Sequence, residues 1–153
     1  MPASRTARLF LLLSLLTLAV RGEEALVGSV KTVQGAALVR RGTESLTIRE
    51  GMHLQLNDTL QTSPDGRLGV ILQDGTRISL GPNTELKIDR FVYQPADSKF
   101  ALLLRLGRGV FAYISGKIAQ FSPESVTIET PVGVLGLRGT HFAVSLEGSQ
   151  EEH

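Results

Sequence analysis

Turn-forming residues divide this chain into short apolar runs, and their spacing limits the folds open to it. From Leu26 onward, a cluster of Gly, Asn, Asp or Pro recurs roughly every 8 to 12 residues, which is typical of β-sandwiches, barrels and β-rolls. No window keeps a helical spacing of apolar residues between capping signals. We therefore predict an all-β fold of short antiparallel strands in a β-sandwich or β-roll. An irregular β-helix-like solenoid is the alternative.

The middle of the chain shows the patterns of individual strands. Apolar residues alternate over 68–72 and again over 78–80, and Asp74-Gly75 between them predicts a hairpin with a two-residue turn. Residues 100–106 are apolar almost throughout, which predicts a strand covered on both faces. The Gly107-Arg108-Gly109 segment after them predicts a turn into another strand.

Three less regular stretches complete the predicted organisation. Residues 94–98 (Gln-Pro-Ala-Asp-Ser) predict a long exposed loop that separates an earlier from a later set of strands, and residues 115–124 form a second irregular patch. The glycine-rich stretch from Thr130 to Val144 predicts the closing strand pair of the domain. Within it we expect Gly139 at a bulge or positive φ and Phe142 as a core anchor.

The first residues have the layout of a secretory signal peptide. Arg5 and Arg8 precede an apolar run over 9–20, and Val20-Arg21-Gly22 follows as a cleavage region. A membrane-spanning helix needs about 20 apolar residues, so the run is short for one, although an uncleaved signal anchor stays the alternative. We predict a signal peptide over 1–22, a β domain over 23–147 and a disordered polar tail over 148–153.

Charge and cysteine content exclude several classes of function. Without residues 1–22, thirteen basic residues stand against fifteen acidic ones, and the charges are dispersed singly. Such a domain has no electrostatic footprint for nucleic acid. The chain has no cysteine, so a disulfide framework, a thiol nucleophile and a lipoprotein anchor are all excluded.

No combination of side chains indicates a catalytic or metal site. His53, His141 and His153 lie far apart and lack the spacing of metal ligands, and Gly107-Arg108-Gly109 lacks the third glycine and the helix of a dinucleotide loop. No serine can be tied to a histidine and an acid by a motif. We therefore expect a non-enzymatic domain without metal or cofactor. Aspartates in or beside turns are expected to bond the backbone, namely Asp58, Asp65, Asp74 and Asp89.

An ordered series of motifs over roughly residues 27–146 resembles the FecR domain family. It begins with Gly51-x-x-Leu54 and Asn57-Asp58-Thr59-Leu60-Gln61-Thr62, and continues with Asp74-Gly75-Thr76-x-Ile78-x-Leu80-x-Pro82. It closes with Thr130-Pro131 and Gly139-Thr140-x-Phe142-x-Val144. Asn57 stands where the family often has glycine, and Asn tolerates left-handed geometry. Signature residues, expected to be structural, are Asp74, Gly75, Thr130, Pro131, Gly139, Thr140 and Phe142.

The resemblance implies an exported sensing or protein-interaction module of the bacterial cell envelope, periplasmic or secreted. In the iron-dicitrate sensor proteins that name the family, the domain follows a cytoplasmic anti-sigma region and one membrane helix. Only eight residues precede Leu9 here, so we do not expect this chain alone to control a sigma factor.

The expected partner is an envelope protein or a cell-wall component, bound through strand edges or the loops at 94–98 and 115–124. Nucleic acid is not expected, and membrane contact is expected only through an uncleaved signal segment. A structural or carbohydrate- or peptidoglycan-binding envelope protein is the alternative.

Overall fold

The computed structural model describes residues 25–137 and 141–146, and strands dominate this part of the chain. The strands are β1 (Leu26–Gln34), β2 (Ala37–Arg41), β3 (Glu44–Thr47), β4 (His53–Gln55), β5 (Thr59–Thr62), β6 (Arg67–Leu72), β7 (Arg77–Leu80), β8 (Glu85–Gln94), β9 (Lys99–Ile114), β10 (Val126–Thr130), β11 (Gly133–Gly136) and β12 (His141–Leu146). Helical structure in the described residues is limited to α1 (Lys117–Phe121) and 3-10 turns at Pro95–Asp97 and Pro123–Ser125. The all-β prediction is confirmed.

The strands form one curled sheet whose two halves enclose a core. Sheet I contains β4, β1, β6, β7, the second half of β9 and β12. Sheet II contains β3, β2, β5, β8, the first half of β9, β10 and β11. Every pairing described is antiparallel except that of β10 with β9. The sheet therefore lacks the parallel coils of the solenoid alternative.

Strand β9 links the two sheets. The prediction of a turn at Gly107-Arg108-Gly109 is wrong, because the strand continues through these residues. It runs for 16 residues, pairing with β8 as far as Arg108 and with β7 from Phe111 onward. Gly109 has φ +94°, and a Cβ at this position would lie 2.3 Å from the Thr84 hydroxyl oxygen. Glycine at position 109 therefore allows the strand to bend where its backbone passes close to Thr84, which a residue with a side chain could not do without a clash. The bend carries one strand from sheet II into sheet I without ending it.

The first half of β9 is not covered on both faces, contrary to the prediction. Leu102, Leu104 and Leu106 are buried, whereas Leu103 is half-buried and Arg105 is exposed. This is the alternation of a strand with one wet face. Leucine at the outward position 103 concealed the alternation in the sequence.

The loop predicted over 94–98 is exposed, but it is short and separates no strand sets. β8 and β9 pair with each other up to Gln94 and Lys99, and the 3-10 turn between them ends at Ser98 in left-handed geometry. This segment therefore closes a hairpin between neighbouring strands.

The Asp74-Gly75 turn joins β6 to β7 as a hairpin, but it is longer than the predicted two-residue turn. The Leu72 N–H donates to the Thr76 carbonyl, which leaves three residues in the loop.

The closing stretch does not form the predicted strand pair. Thr130 and Gly133 pair across a tight hairpin that joins β10 to β11 in sheet II, while β12 pairs with β9 in sheet I. The chain reverses at the Thr130-Pro131 turn and forms β11 in sheet II before it reaches β12. β10 and β12 therefore lie in opposite sheets. Gly139, predicted at a bulge or positive φ, lies outside the described residues.

The core is built from alternate residues of both sheets. Phe111 and Tyr113 of β9 are its largest fully buried side chains, and Leu54 and Leu60 are buried on either side of the Asn57 turn as predicted. Asn57 has φ +69°, in keeping with its tolerance of left-handed geometry. No helix in the part of the chain described is long and apolar enough to cross a membrane.

Candidate interaction surface

Asp74 fastens α1 to the turn between β6 and β7. Its buried carboxylate accepts hydrogen bonds from the Thr76 N–H (3.0 Å), the Thr76 hydroxyl (2.8 Å) and the Ile118 N–H (3.1 Å). Its backbone carbonyl accepts another from the Lys117 N–H at 2.8 Å. Gly75 follows with φ +86°. The first pair of signature residues therefore acts on the backbone, as expected of an Asp-Gly turn.

Tyr113 lies between this turn and Phe142. Its hydroxyl is buried, and no hydrogen bond reaches it from the residues described. Burial raises the pKa of Tyr113 to about 12, and the charge of Asp74 adds to the increase. The Phe142 ring centroid lies 4.9 Å from that of Tyr113 and 5.8 Å from that of Phe111. Phe142 is half-buried and packs against the core from β12.

The remaining signature residues lie elsewhere. The Thr130 hydroxyl donates to the Gly133 carbonyl (2.9 Å) and accepts from the Val132 N–H (3.3 Å), and exposed Pro131 occupies the turn. Gly139 and Thr140 lie outside the described residues. The signature residues that are described are thus distributed over two turns and one strand of opposite sheets, and they do not converge on one pocket.

Two further turn contacts were not predicted. The Arg41 guanidinium makes two hydrogen bonds to the Asp58 carboxylate, at 2.9 and 2.7 Å, and this carboxylate also accepts from the Gln55 N–H. The Thr84 hydroxyl bonds both the N–H and the carbonyl of Val110, across the bend of β9. Asp58 was expected to bond the backbone, but no local pattern in the sequence indicates a partner 17 residues away.

Exposed apolar side chains lie along the β10–β11 hairpin and at the end of sheet II where β10 begins. Phe121 is 61% exposed, Val132 86% and Val134 66%, and Leu135 is also exposed. With Phe100 of β9, these residues define what we call the β10–β11 surface. Strand β11 pairs only with β10 among the described strands, so its other edge offers unpaired backbone groups.

Two adjoining cavities lie on this surface. One, of about 360 Å³, is lined by Phe100 and Leu103 of β9 together with Glu124 and Thr127. The other, of about 450 Å³, is lined by Val134 and residues that include the same Glu124 and Thr127. The shared residues join the two cavities into one concave region beside the edge strand.

The two loops predicted to bind a partner both reach this surface. Phe100 follows the 94–98 turn, Phe121 belongs to the 115–124 stretch, and their rings stack with centroids 5.5 Å apart. Tyr93 continues the aromatic row, 6.3 Å from Phe100. Sequence analysis missed β11 itself, whose only local sign is the pair Val134-Leu135 between glycines after a Thr-Pro turn.

Both paired and unpaired charges border the surface, and Arg90 and Glu124 make no ion pair with a described residue. The Arg105 guanidinium contacts Glu129 at 3.0 Å and Asp89 at 3.3 Å. The pKa of the exposed Glu124 carboxyl is lowered by its own backbone N–H and by the Ser122 hydroxyl. Within 25–137 and 141–146, no three His, Asp or Glu side chains cluster as metal ligands would. The arrangement therefore offers apolar contact and strand pairing to a partner.

Comparison with known proteins adds the family. A family model described as "FecR protein" matches residues 58–152, well over half of the chain. No curated protein and no solved structure matches. The matched segment begins at the Asp58 turn and takes in β5 to β12, and so includes the Asp74 turn, the bend of β9 and the β10–β11 surface. The chain belongs to the FecR family, whose members are signalling and sensing domains of the cell envelope.

Proposed function

We propose that this chain is an exported, non-enzymatic sensing or protein-interaction module of the bacterial cell envelope, and that it binds an envelope protein through the β10–β11 surface. The observation that carries the proposal is the free edge of β11, with exposed Val134 and Leu135 on the strand and exposed Val132 in the turn before it. Contiguous exposed apolar residues mark interaction sites on soluble domains. An unpaired strand edge accepts an extended segment of a partner by main-chain hydrogen bonds.

The cavities next to β11 would give such pairing its specificity. A segment added to β11 places alternate side chains on opposite faces of the sheet. On one face they reach the region lined by Val134, Glu124 and Thr127, which has room for an apolar side chain. Main-chain pairing would then supply affinity, and the cavity would select the partner's sequence.

A charged substitution on β11 tests this proposal. Val134→Lys places an ammonium group on the β10–β11 surface, and Leu38→Lys makes the same change at another exposed apolar residue, on β2. Envelope proteins retained by wild type and by the two variants are compared by quantitative mass spectrometry, together with co-sedimentation with purified peptidoglycan.

We expect a defined envelope protein that wild type and Leu38→Lys retain and Val134→Lys loses at least tenfold. Equal retention by all three proteins would contradict the proposed surface. Co-sedimentation with peptidoglycan and no retained protein would favour the alternative of a cell-wall-binding protein.

A further inference from the structure

The ion pairs found between described residues lie in one half of the molecule. Those among the described residues involve β2, β8, β10, the first half of β9 and the Asp58 turn, all in or beside sheet II. Within their bounds, β1, β4, β6, β7, β12 and residues 109–114 of β9 contain no Asp or Glu. Lys31, Arg67 and Arg77 are exposed on sheet I and make no ion pair with a described residue. Among the residues that the structure describes, the cations on the outer face of sheet I therefore have no acidic partner.

These cations surround a groove on the outer face of β6. Two depressions, of about 150 and 310 Å³, share Gly69 and Ser79 and so form one channel between β1 and β7. Lys31 and Arg77 line one end, and Arg67 lines the other. We call this channel the β6 groove. At about 3.3 Å per residue, the four steps from Arg67 to Ile71 give it a length of roughly 13 Å.

Local geometry explains why the groove exists. The register of β1 against β6 shifts between Val30 and Thr32, so that Lys31 is an extra residue and both Lys31 and Thr32 are exposed. A bulge of this kind redirects side chains. The Thr32 hydroxyl lies over Gly69, where a Cβ would come within 2.4 Å of it. Because Gly69 has no side chain, its backbone forms the floor of the groove and the Thr32 hydroxyl can lie close to it.

The position of the groove limits what it can bind. β6 is paired with β1 on one side and with β7 on the other, so its backbone cannot pair with an extended peptide. The polar side chains that line the groove are the three cations, the hydroxyls of Thr32 and Ser79, and the amide of Gln34. No aromatic ring lines the groove to stack on a base or on a neutral sugar.

We propose that the β6 groove binds a linear anionic glycan whose sugars carry carboxylates. Lys31, Arg67 and Arg77 would pair with the carboxylates, and the two hydroxyls would bond those of the sugars. Charge complementarity carries this assignment: without residues 1–22, thirteen basic residues stand against fifteen acidic ones, so attraction of a polyanion requires a local cluster of cations such as this one. The inference concerns the opposite sheet from the β10–β11 surface and does not depend on the function proposed for that surface.

Polygalacturonate, with one carboxylate per sugar, is the probe, and binding to the purified protein is measured by calorimetry at low and high salt. Lys31, Arg67 and Arg77 are replaced together by Gln. The control triple variant replaces the exposed cations Arg49, Lys99 and Arg108 by Gln, which gives the same change of net charge outside the groove. A third variant, Ser79→Val, narrows the groove at an exposed strand position and leaves the charge unchanged.

We expect the groove triple to lose at least tenfold in affinity, Ser79→Val to lose several-fold, and the control triple to stay within twofold of wild type. High salt should weaken wild-type binding, and neutral dextran should not bind. Equal losses in both triples would overturn the proposal, as would tighter binding to poly-glutamate or to phosphatidylglycerol vesicles than to polygalacturonate. Absence of binding at low salt would also overturn it.

Discussion

Individual side chains in turns determine much of this fold. Asp74 and Thr84 bond backbone groups of distant elements, and Asp58 bonds the Arg41 side chain of β2 and the Gln55 N–H of β4. The backbone hydrogen bonds of the two aspartates could be predicted from the sequence, because short carboxylates in turns bond the backbone. Their distant partners could not: Ile118 lies 44 residues from Asp74, and no local pattern connects the two.

The first prediction concerns Asp74. Asp74→Ala leaves the N–H groups of Thr76 and Ile118 buried without an acceptor, so we expect a loss of about 3 kcal/mol in the free energy of unfolding. Asp97→Ala, at the exposed tip of the β8–β9 hairpin, is the control and should change stability by less than about 0.5 kcal/mol. Urea denaturation measures both, and equal midpoints for the two variants would refute the fastening role.

The second prediction concerns the Tyr113 hydroxyl, which is buried without a hydrogen bond from the described residues. Removing an unsatisfied polar group costs little, so Tyr113→Phe should be neutral or stabilising by up to about 1 kcal/mol at pH 7. A loss above about 1 kcal/mol would show that the hydroxyl is bonded.

The pH dependence of stability tests the same hydroxyl. The folded pKa of Tyr113 is raised to about 12 from the ordinary value of 10.0, so the folded state holds its proton more tightly than the unfolded state does. The resulting stabilisation is fully present below pH 10 and is lost as the pH rises from 10 through 12. Tyr113→Phe should lack this contribution. In Tyr93→Phe, which leaves Tyr113 as the single tyrosine, tyrosinate absorbance should rise with a midpoint near 12.

At the scale of elements, the strands and the β6–β7 hairpin were predicted well, whereas pairing between strands distant in sequence was not. Alternation within 68–72 and 78–80 is a local property, and both segments are strands with buried faces as expected. The passage of β9 between the sheets and the parallel pairing of β10 with β9 depend on distant contacts. From the sequence, the glycines at 107 and 109 are compatible both with a turn that ends the strand and with a bend inside it, because both conformations require the backbone freedom of glycine.

The bend of β9 gives the third prediction. Gly109→Ala imposes positive φ on alanine and brings its Cβ to 2.5 Å from the Thr84 Cα, so we expect a loss of about 3 kcal/mol or more. Gly136→Ala on β11 is the control, because no atom lies within 4 Å of its added Cβ. Thermal unfolding of the two variants decides: a Gly109→Ala protein as stable as the control would mean that the bend does not require glycine.

At the scale of the whole molecule, the two sheets differ in surface chemistry. Sheet II carries the ion pairs and the apolar β10–β11 surface, and sheet I carries the unpaired cations around the β6 groove. Family membership could be predicted from the ordered motifs, since those from Asp58 onward lie within the segment that the FecR match covers. The β10–β11 surface could not, because it arises where distant segments meet.

Export is the fourth prediction. The basic residues, apolar run and cleavage region follow one another over 1–22, so the mature protein should begin near Glu23. N-terminal sequencing of protein from the periplasmic or secreted fraction measures this directly. Recovery of the chain with Met1 intact in the membrane fraction would instead identify an uncleaved anchor.

The central claim, that the β10–β11 surface contacts an envelope protein, is tested most directly by photo-crosslinking in living cells. A photoreactive amino acid is placed at Val134 in one strain and at Leu38 in another, since both side chains are exposed and apolar. We predict that position 134 yields a discrete adduct with one envelope protein and that position 38 does not. Absence of an adduct at position 134, or the same adducts at both positions, would contradict the account.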